Sequence, residues 1–170
     1  MAFVPKRYSV SDARYGVIAD SQTLSVGEAI TCSTNAEDYP VVITAGGTTG
    51  PVLGVVTGIA GKDGQVLEVN SHAAAATNDT TELVKVAYLD AWLPMTWLSD
   101  LDAAAETTDN SRSFGNFAID STGLLVDEST VAAITTPEDK QVFSYGLTGL
   151  NTTQVEVRFI STILGYNIAG

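Results

Sequence analysis

The stretch QVEVRFISTIL, residues 154–164, decides how the rest of the chain is read. Val155, Val157 and Phe159 alternate with Gln154, Glu156 and Arg158. A period of two describes a strand with one buried face and one wet face. The same pattern recurs upstream. LVKVAYLDAWL, 83–93, sets Val84, Val86 and Tyr88 on one face, and Pro94 ends the run. YGVIA at 15–19, AITCST at 29–34, VVITA at 41–45 and VLGVVTGIA at 52–60 are short apolar runs. The clusters DSQ, NAEDYP and GGTTGP punctuate them as turns. VLGVVTGIA and QVLEVN, 65–70, flank GKDG and predict a hairpin. Gly54 and Gly58 inside its first strand predict a bulge or a close backbone approach. NFAID, LLVDE and QVFSYGLTG continue the strands toward 149.

One segment breaks the pattern. SDLDAAAET, 99–107, reads as a short helix with Ser99 as N-cap and acids in the first turn. The expected fold is therefore all-β, a small β-barrel or β-sandwich with one or two short helices and an extended N-terminal arm. The expected division is an arm over 1–14, a β-rich subdomain over 15–70, a loop or linker over 71–82, and a second β-rich subdomain over 83–170 packed on the first. SHAAAATNDTTE is small, polar and rich in turn residues, which suits a mobile surface loop.

Charge narrows the function. The chain has 170 residues and a net charge of −12. Up to Arg14 the basic residues are Lys6, Arg7 and Arg14 against Asp12 alone; the remainder is strongly acidic. Such a body repels phosphate backbones, so nucleic-acid binding is not expected. The basic arm suits an acidic protein surface, with Phe3, Val4 and Tyr8 available as apolar anchors beside Lys6, Arg7 and Arg14. The single cysteine, Cys32, allows no intrachain disulfide and reads as an inert thiol pointing the same way as Ile30. The first sixteen residues lack the apolar core of a signal peptide, and GPVLGVVTGIAG is too short to span a bilayer. Neither a membrane nor a secretory route is expected.

The candidate chemistry thins on inspection. Asp120-Ser121-Thr122-Gly123 resembles the Asp-Thr/Ser-Gly of an aspartic protease. However, one extra residue separates Asp120 from Gly123, and no second copy supplies the partner carboxylate. A hairpin turn is the expected role. GVVTGIAGKDG fails as a phosphate loop, because Val56 stands where glycine is required and Asp63 follows Lys62. His72 is the sole histidine, and its neighbours mark a solvated loop. Asp109 to Asp120 has the span of a calcium-binding loop, but Phe114 replaces the required glycine and Arg112 intrudes. Trp92 and Trp97 flank Pro94 and predict core or interface packing ahead of a sugar platform. Asn78-Asp79-Thr80 and Asn151-Thr152-Thr153 match the glycosylation sequon, which carries no weight without a secretory route. No catalytic residue, cofactor or metal is expected.

A small, acidic β-protein rich in Thr, Ala and Gly resembles the structural proteins of tailed-phage virions, especially small capsid-associated head proteins of the decoration or cement type. The resemblance runs over Leu83–Ile160. It follows LVKVAYLDAWLP, DLDAAAET, SFGNFAIDSTGLLVDESTV and QVFSYGLTGLNTTQVEVRF, with Phe143, Gly146, Val155, Val157 and Phe159 in the closing strands. VLGVVTGIAGKDGQVLEVN is more loosely similar to the β-rich core of decoration proteins. The resemblance implies a non-enzymatic virion component, made in the host cytoplasm, that binds the major capsid protein lattice from outside, as a homo-oligomer with a trimer favoured. It supplies no functional residues. Ile163, Leu164, Tyr166 and Ile168 crowd the apolar C-terminal stretch and are expected at a subunit interface. The alternatives are another virion component (shell, collar or tail), a receptor- or glycan-binding module, or a hydrolase acting on cell envelope.

Overall fold

Several strands of this chain bury both faces, and that fact organises the molecule. A computed structural model describes residues 2–6, 12–33, 42–45, 51–61, 63, 65–102, 114–124, 126–127, 140–149 and 153–162. The fold is all-β. In chain order the strands are β1 (Val4–Pro5), β2 (Arg14–Ile18), β3 (Thr23–Ser25), β4 (Ala29–Ser33), β5 (Val42–Ala45), β6 (Gly54–Ala60) and β7 (Val66–Leu67). They continue with β8 (Ser71–Ala73), β9 (Lys85–Asp90), β10 (Trp97–Asp100), β11 (Phe114–Ile119), β12 (Val126–Asp127), β13 (Val142–Leu147) and β14 (Gln154–Phe159). The first sheet has the order β4-β5-β2-β9-β6-β7 and the second β1-β10-β14-β13-β11-β12, while β3 and β8 pair separately. Among the described residues the strand ladders are antiparallel except β2 with β5, and two isolated bridges, Val52 to Thr162 and Leu101 to Val126, are parallel. The curled sheets form a half-barrel.

Curling of the first sheet follows from its glycines. β4 pairs with β6 as well as β5, through Ala29 opposite Val55 and Ile30 opposite Gly54, so the sheet bends back on itself. Gly54 allows the close approach expected of it: a Cβ there would lie 2.3 Å from the Leu89 carbonyl oxygen. The β6–β9 register slips between Val56 and Gly58, which is the expected bulge. β6 also pairs with β7, with Ile59 opposite Leu67, completing the hairpin across GKDG. Inside the curl lie Ile18, Leu24, Ile30, Val56, Val86 and Tyr88.

A second core fills the space between the sheets. From the first sheet come Ala29, Val55, Leu89 and Ala91; from the second come Trp97, Phe117, Val142, Val155, Val157 and Phe159. Val55 and Val56, or Tyr88 and Leu89, thus serve two cores from adjacent positions. The alternation in QVEVRF holds, with Val155, Val157 and Phe159 facing inward.

Four expectations change. First, residues 2–6 are not a free arm. Phe3 is 2% exposed and packs on Phe159, whose ring also meets Trp97 edge-on. Val4 and Pro5 pair with Leu98 and Trp97. Second, Ser99 caps no helix. It lies in β10 with its side chain fully buried, and 103–107 fall outside the described residues. Burial against the inter-sheet core overrides the cap-like sequence. Third, 71–82 is tied down. β8 pairs with β3, and Asn78, inside a π-helical turn over Asn78–Glu82, is fully buried. Its amide nitrogen donates to the Ile18 and Val84 carbonyls, and its Oδ1 accepts from the Val84 N–H. A residue held this way is closed to glycosylation. Fourth, β9 belongs to the first sheet, so the sheets part after Asp90 and not at 71–82.

The anchoring of the N-terminal strand is apolar. Lys6 bonds Glu156 at 2.7 Å, but exposed ion pairs are worth only about 0–1 kcal/mol, whereas emptying a buried phenylalanine site costs about 3–5. Phe3→Ala should therefore lower unfolding free energy by about 3 kcal/mol or more, and Lys6→Ala by less than about 1, both measured in urea. Equal and small effects would restore the free-arm reading.

Candidate functional site: an exposed aromatic sheet face

Asp120 anchors a turn. Gly123 donates to the Asp120 carbonyl at 3.0 Å and adopts φ +73°, which suits glycine. Asp120 Oδ2 accepts from the Thr122 hydroxyl at 2.6 Å and Oδ1 from the Leu124 N–H at 3.1 Å. The turn joins β11 to β12, with Ile119 opposite Val126. This is the hairpin read from the sequence.

A second carboxyl group does lie near Asp120, from a part of the chain that no motif singled out. Glu28 is buried, and its Oε2 accepts from the Ser25 N–H at 2.8 Å. Burial pushes its pKa up to about 7, and the nearby Asp120 charge adds to the shift. Gly123 seals the site: a Cβ there would lie 3.0 Å from Glu28 Cγ. Both carboxyl groups are engaged by their own turns where the sheets meet, Asp120 by Thr122 and Leu124 and Glu28 by Ser25.

The other expected residues scatter. Trp97 is buried in the core, so it cannot join Trp92 in a sugar platform. His72 lies on β8 opposite Leu24, half-buried, and is not a solvated loop residue. Cys32 is half-buried on β4. Arg14 Nε binds the buried Asp90 carboxylate at 2.5 Å, and this bond raises the arginine pKa further. Tyr88 beside them is pushed up by burial and by the Asp90 charge. Phe3 fills the protein's own core. Arg7, Tyr8, Ile163, Leu164, Tyr166 and Ile168 lie outside the described residues. Of the proposed contact residues, Val4 and Lys6 reach a common exposed surface, the outer face of the second sheet.

That face is where the unexplained apolar residues collect. Register sets Val4, Leu98 and Glu156 in one row across β1, β10 and β14. Tyr145 sits at the bulge opposite Glu156 and pairs with Phe114 on β11. The next row holds Arg158, Phe143 and Asn116. Phe114 and Tyr145 each meet Phe143 edge-to-face, at ring separations of 5.3 and 5.1 Å. Phe114 is 57%, Tyr145 49% and Val4 41% exposed. Lys6 neutralises Glu156 and holds its pKa below the usual range. Arg158 is exposed and makes no ion pair among the described residues. Sequence reading missed the cluster because strand alternation marks these positions as the wet face. Their aromatic identity at 114, 143 and 145 was the available signal.

Comparison with family models, curated proteins and solved structures gives no match. Among the described residues no group of three His, Cys, Asp or Glu side chains could hold a metal, and no helix is long and apolar enough to cross a membrane.

Glu28 gives a pH prediction. Its folded pKa, about 7, exceeds its ordinary value of 4.5, so the folded state holds the extra proton between these limits. Its contribution is fully present below 4.5, falls as pH rises to 7, and is lost above. Glu28→Gln should match the parent near pH 4 and exceed it near pH 8, by up to about 3 kcal/mol. Parallel stability curves for the two proteins would show that Glu28 titrates normally.

Proposed function

We propose that this chain is a non-enzymatic structural protein that docks on a larger protein assembly, and that the assembly is the outer surface of a tailed-phage capsid. The observation that carries the docking half is the outer face of the second sheet. A lone exposed apolar side chain needs no explanation. Here three of the seven large apolar residues exposed among the described residues, Val4, Phe114 and Tyr145, share one sheet face. An antiparallel sheet with a covered inner face normally keeps its outer face polar. A contiguous apolar patch on such a face marks a contact surface. The capsid half rests on the sequence resemblance to head-decoration proteins, which also supplies the expected trimer. An acidic exterior suits a protein that faces solvent and other proteins and keeps away from packaged DNA.

Light scattering gives the oligomeric mass, and sedimentation with purified empty heads of the phage that carries the gene tests the attachment. Saturable binding with a fixed ratio of this chain to capsid subunits is expected. Absence of binding at every salt concentration, together with retention on a glycan array, would replace the capsid reading with the glycan-binding one.

A further inference from the structure

We propose that Arg158 and the rings of Phe114, Phe143 and Tyr145 form the attachment surface, and that its partner is an acidic protein surface presenting a carboxylate among apolar side chains. This inference names the contact and the partner chemistry for the docking reading above, and rests on it. Charge selects the partner. The chain carries 20 acidic against 8 basic residues, so an acidic partner is repelled by most of the molecule. The outer face differs: Glu156 is already held by Lys6, and Arg158 stands exposed directly opposite Phe143. A guanidinium one strand away from an aromatic cluster keeps its charge, matches a carboxylate with two parallel hydrogen bonds, and loses water when a partner closes over the face. Arg and Tyr in such a setting are the residue types that dominate binding energy at protein contacts.

The same charges argue against other occupants. A second copy docked through the same face would present Glu156, which Lys6 already holds, and Asp100, which accepts from the Thr153 hydroxyl. Single-stranded nucleic acid also stacks on aromatic faces, but it needs a basic track for its phosphates, and among the described residues this face offers only Arg158 and the already paired Lys6.

Two arms test the proposal on the full chain. In the first, amide chemical shifts are followed on adding a synthetic peptide of alternating Leu and Glu, a matched Leu and Lys peptide, or an oligothymidine. The Leu/Glu peptide should move amides at 114–116, 143–145 and 156–158. Arg158→Glu should transfer the response to the Leu/Lys peptide. Equal responses to both peptides, a response centred elsewhere, or a stronger response to oligothymidine overturns the proposal. In the second arm, head binding should weaken about tenfold or more in Arg158→Glu and in Tyr145→Ser. It should be unchanged in Tyr15→Ser, an exposed position on β2. Melting curves confirm that each variant is folded. Heads that bind all variants alike overturn this contact and leave the capsid reading standing. Heads that ignore the parent protein while the Leu/Glu peptide binds overturn the capsid reading and leave this contact standing.

Discussion

The backbone of residues 25–29 holds three distant parts of the chain together, and the geometry of Gly27 makes this possible. Gly27 donates to the Val56 carbonyl at 2.7 Å and accepts from the Phe3 N–H at 3.0 Å. Two residues on, Ala29 donates to the Gly123 carbonyl at 2.7 Å. The N-terminal strand, the curled first sheet and the 120–123 turn of the second sheet therefore meet at one bend. Gly27 has φ +86°, and a Cβ there would lie 2.3 Å from Ala2 Cβ. Any other residue would push the N-terminal strand away. With it would go Phe3, and with Phe3 the closure of the inter-sheet core.

This junction explains how the aromatic face comes to exist. Because the inner side of the second sheet is fully occupied by the inter-sheet core, its outer side contributes nothing to holding the sheets together. Its residues are then not constrained by packing between the sheets. Phe114, Phe143, Tyr145 and Arg158 sit on three neighbouring antiparallel strands, braced by a bulge with Gly146 at φ +99°. Strands position such groups more rigidly than loops do, which lowers the ordering cost of association.

Legibility varied with how local the cause was. The 154–159 strand, the 120–123 turn and the GKDG hairpin could all be read because period, turn chemistry and glycine placement act within a few residues. Gly54 could be recognised as special, though not as the point where β4 closes on β6. The N-terminal strand was misread because its two paired residues are shorter than any periodic window, and its burial depends on a contact with Gly27. Ser99 carried a cap-like signal that packing overruled. Asn78 looked like a loop residue because its three hydrogen bonds reach groups on β2 and beyond the turn. The aromatic face was hidden for a similar reason. Its members come from three separate strands, with Phe114 well upstream of Phe143, Tyr145 and Arg158, and only strand register unites them.

One bend ties the N-terminal strand and both sheets into a single cooperative unit. Native-state hydrogen exchange on the full chain tests it most directly. The account predicts that the amides of Phe3, Gly27, Ala29 and Val56 exchange only through global unfolding, in step with those of Val155 and Val157. Exchange of the Phe3 and Gly27 amides through local opening, while β13 and β14 stay protected, would contradict it.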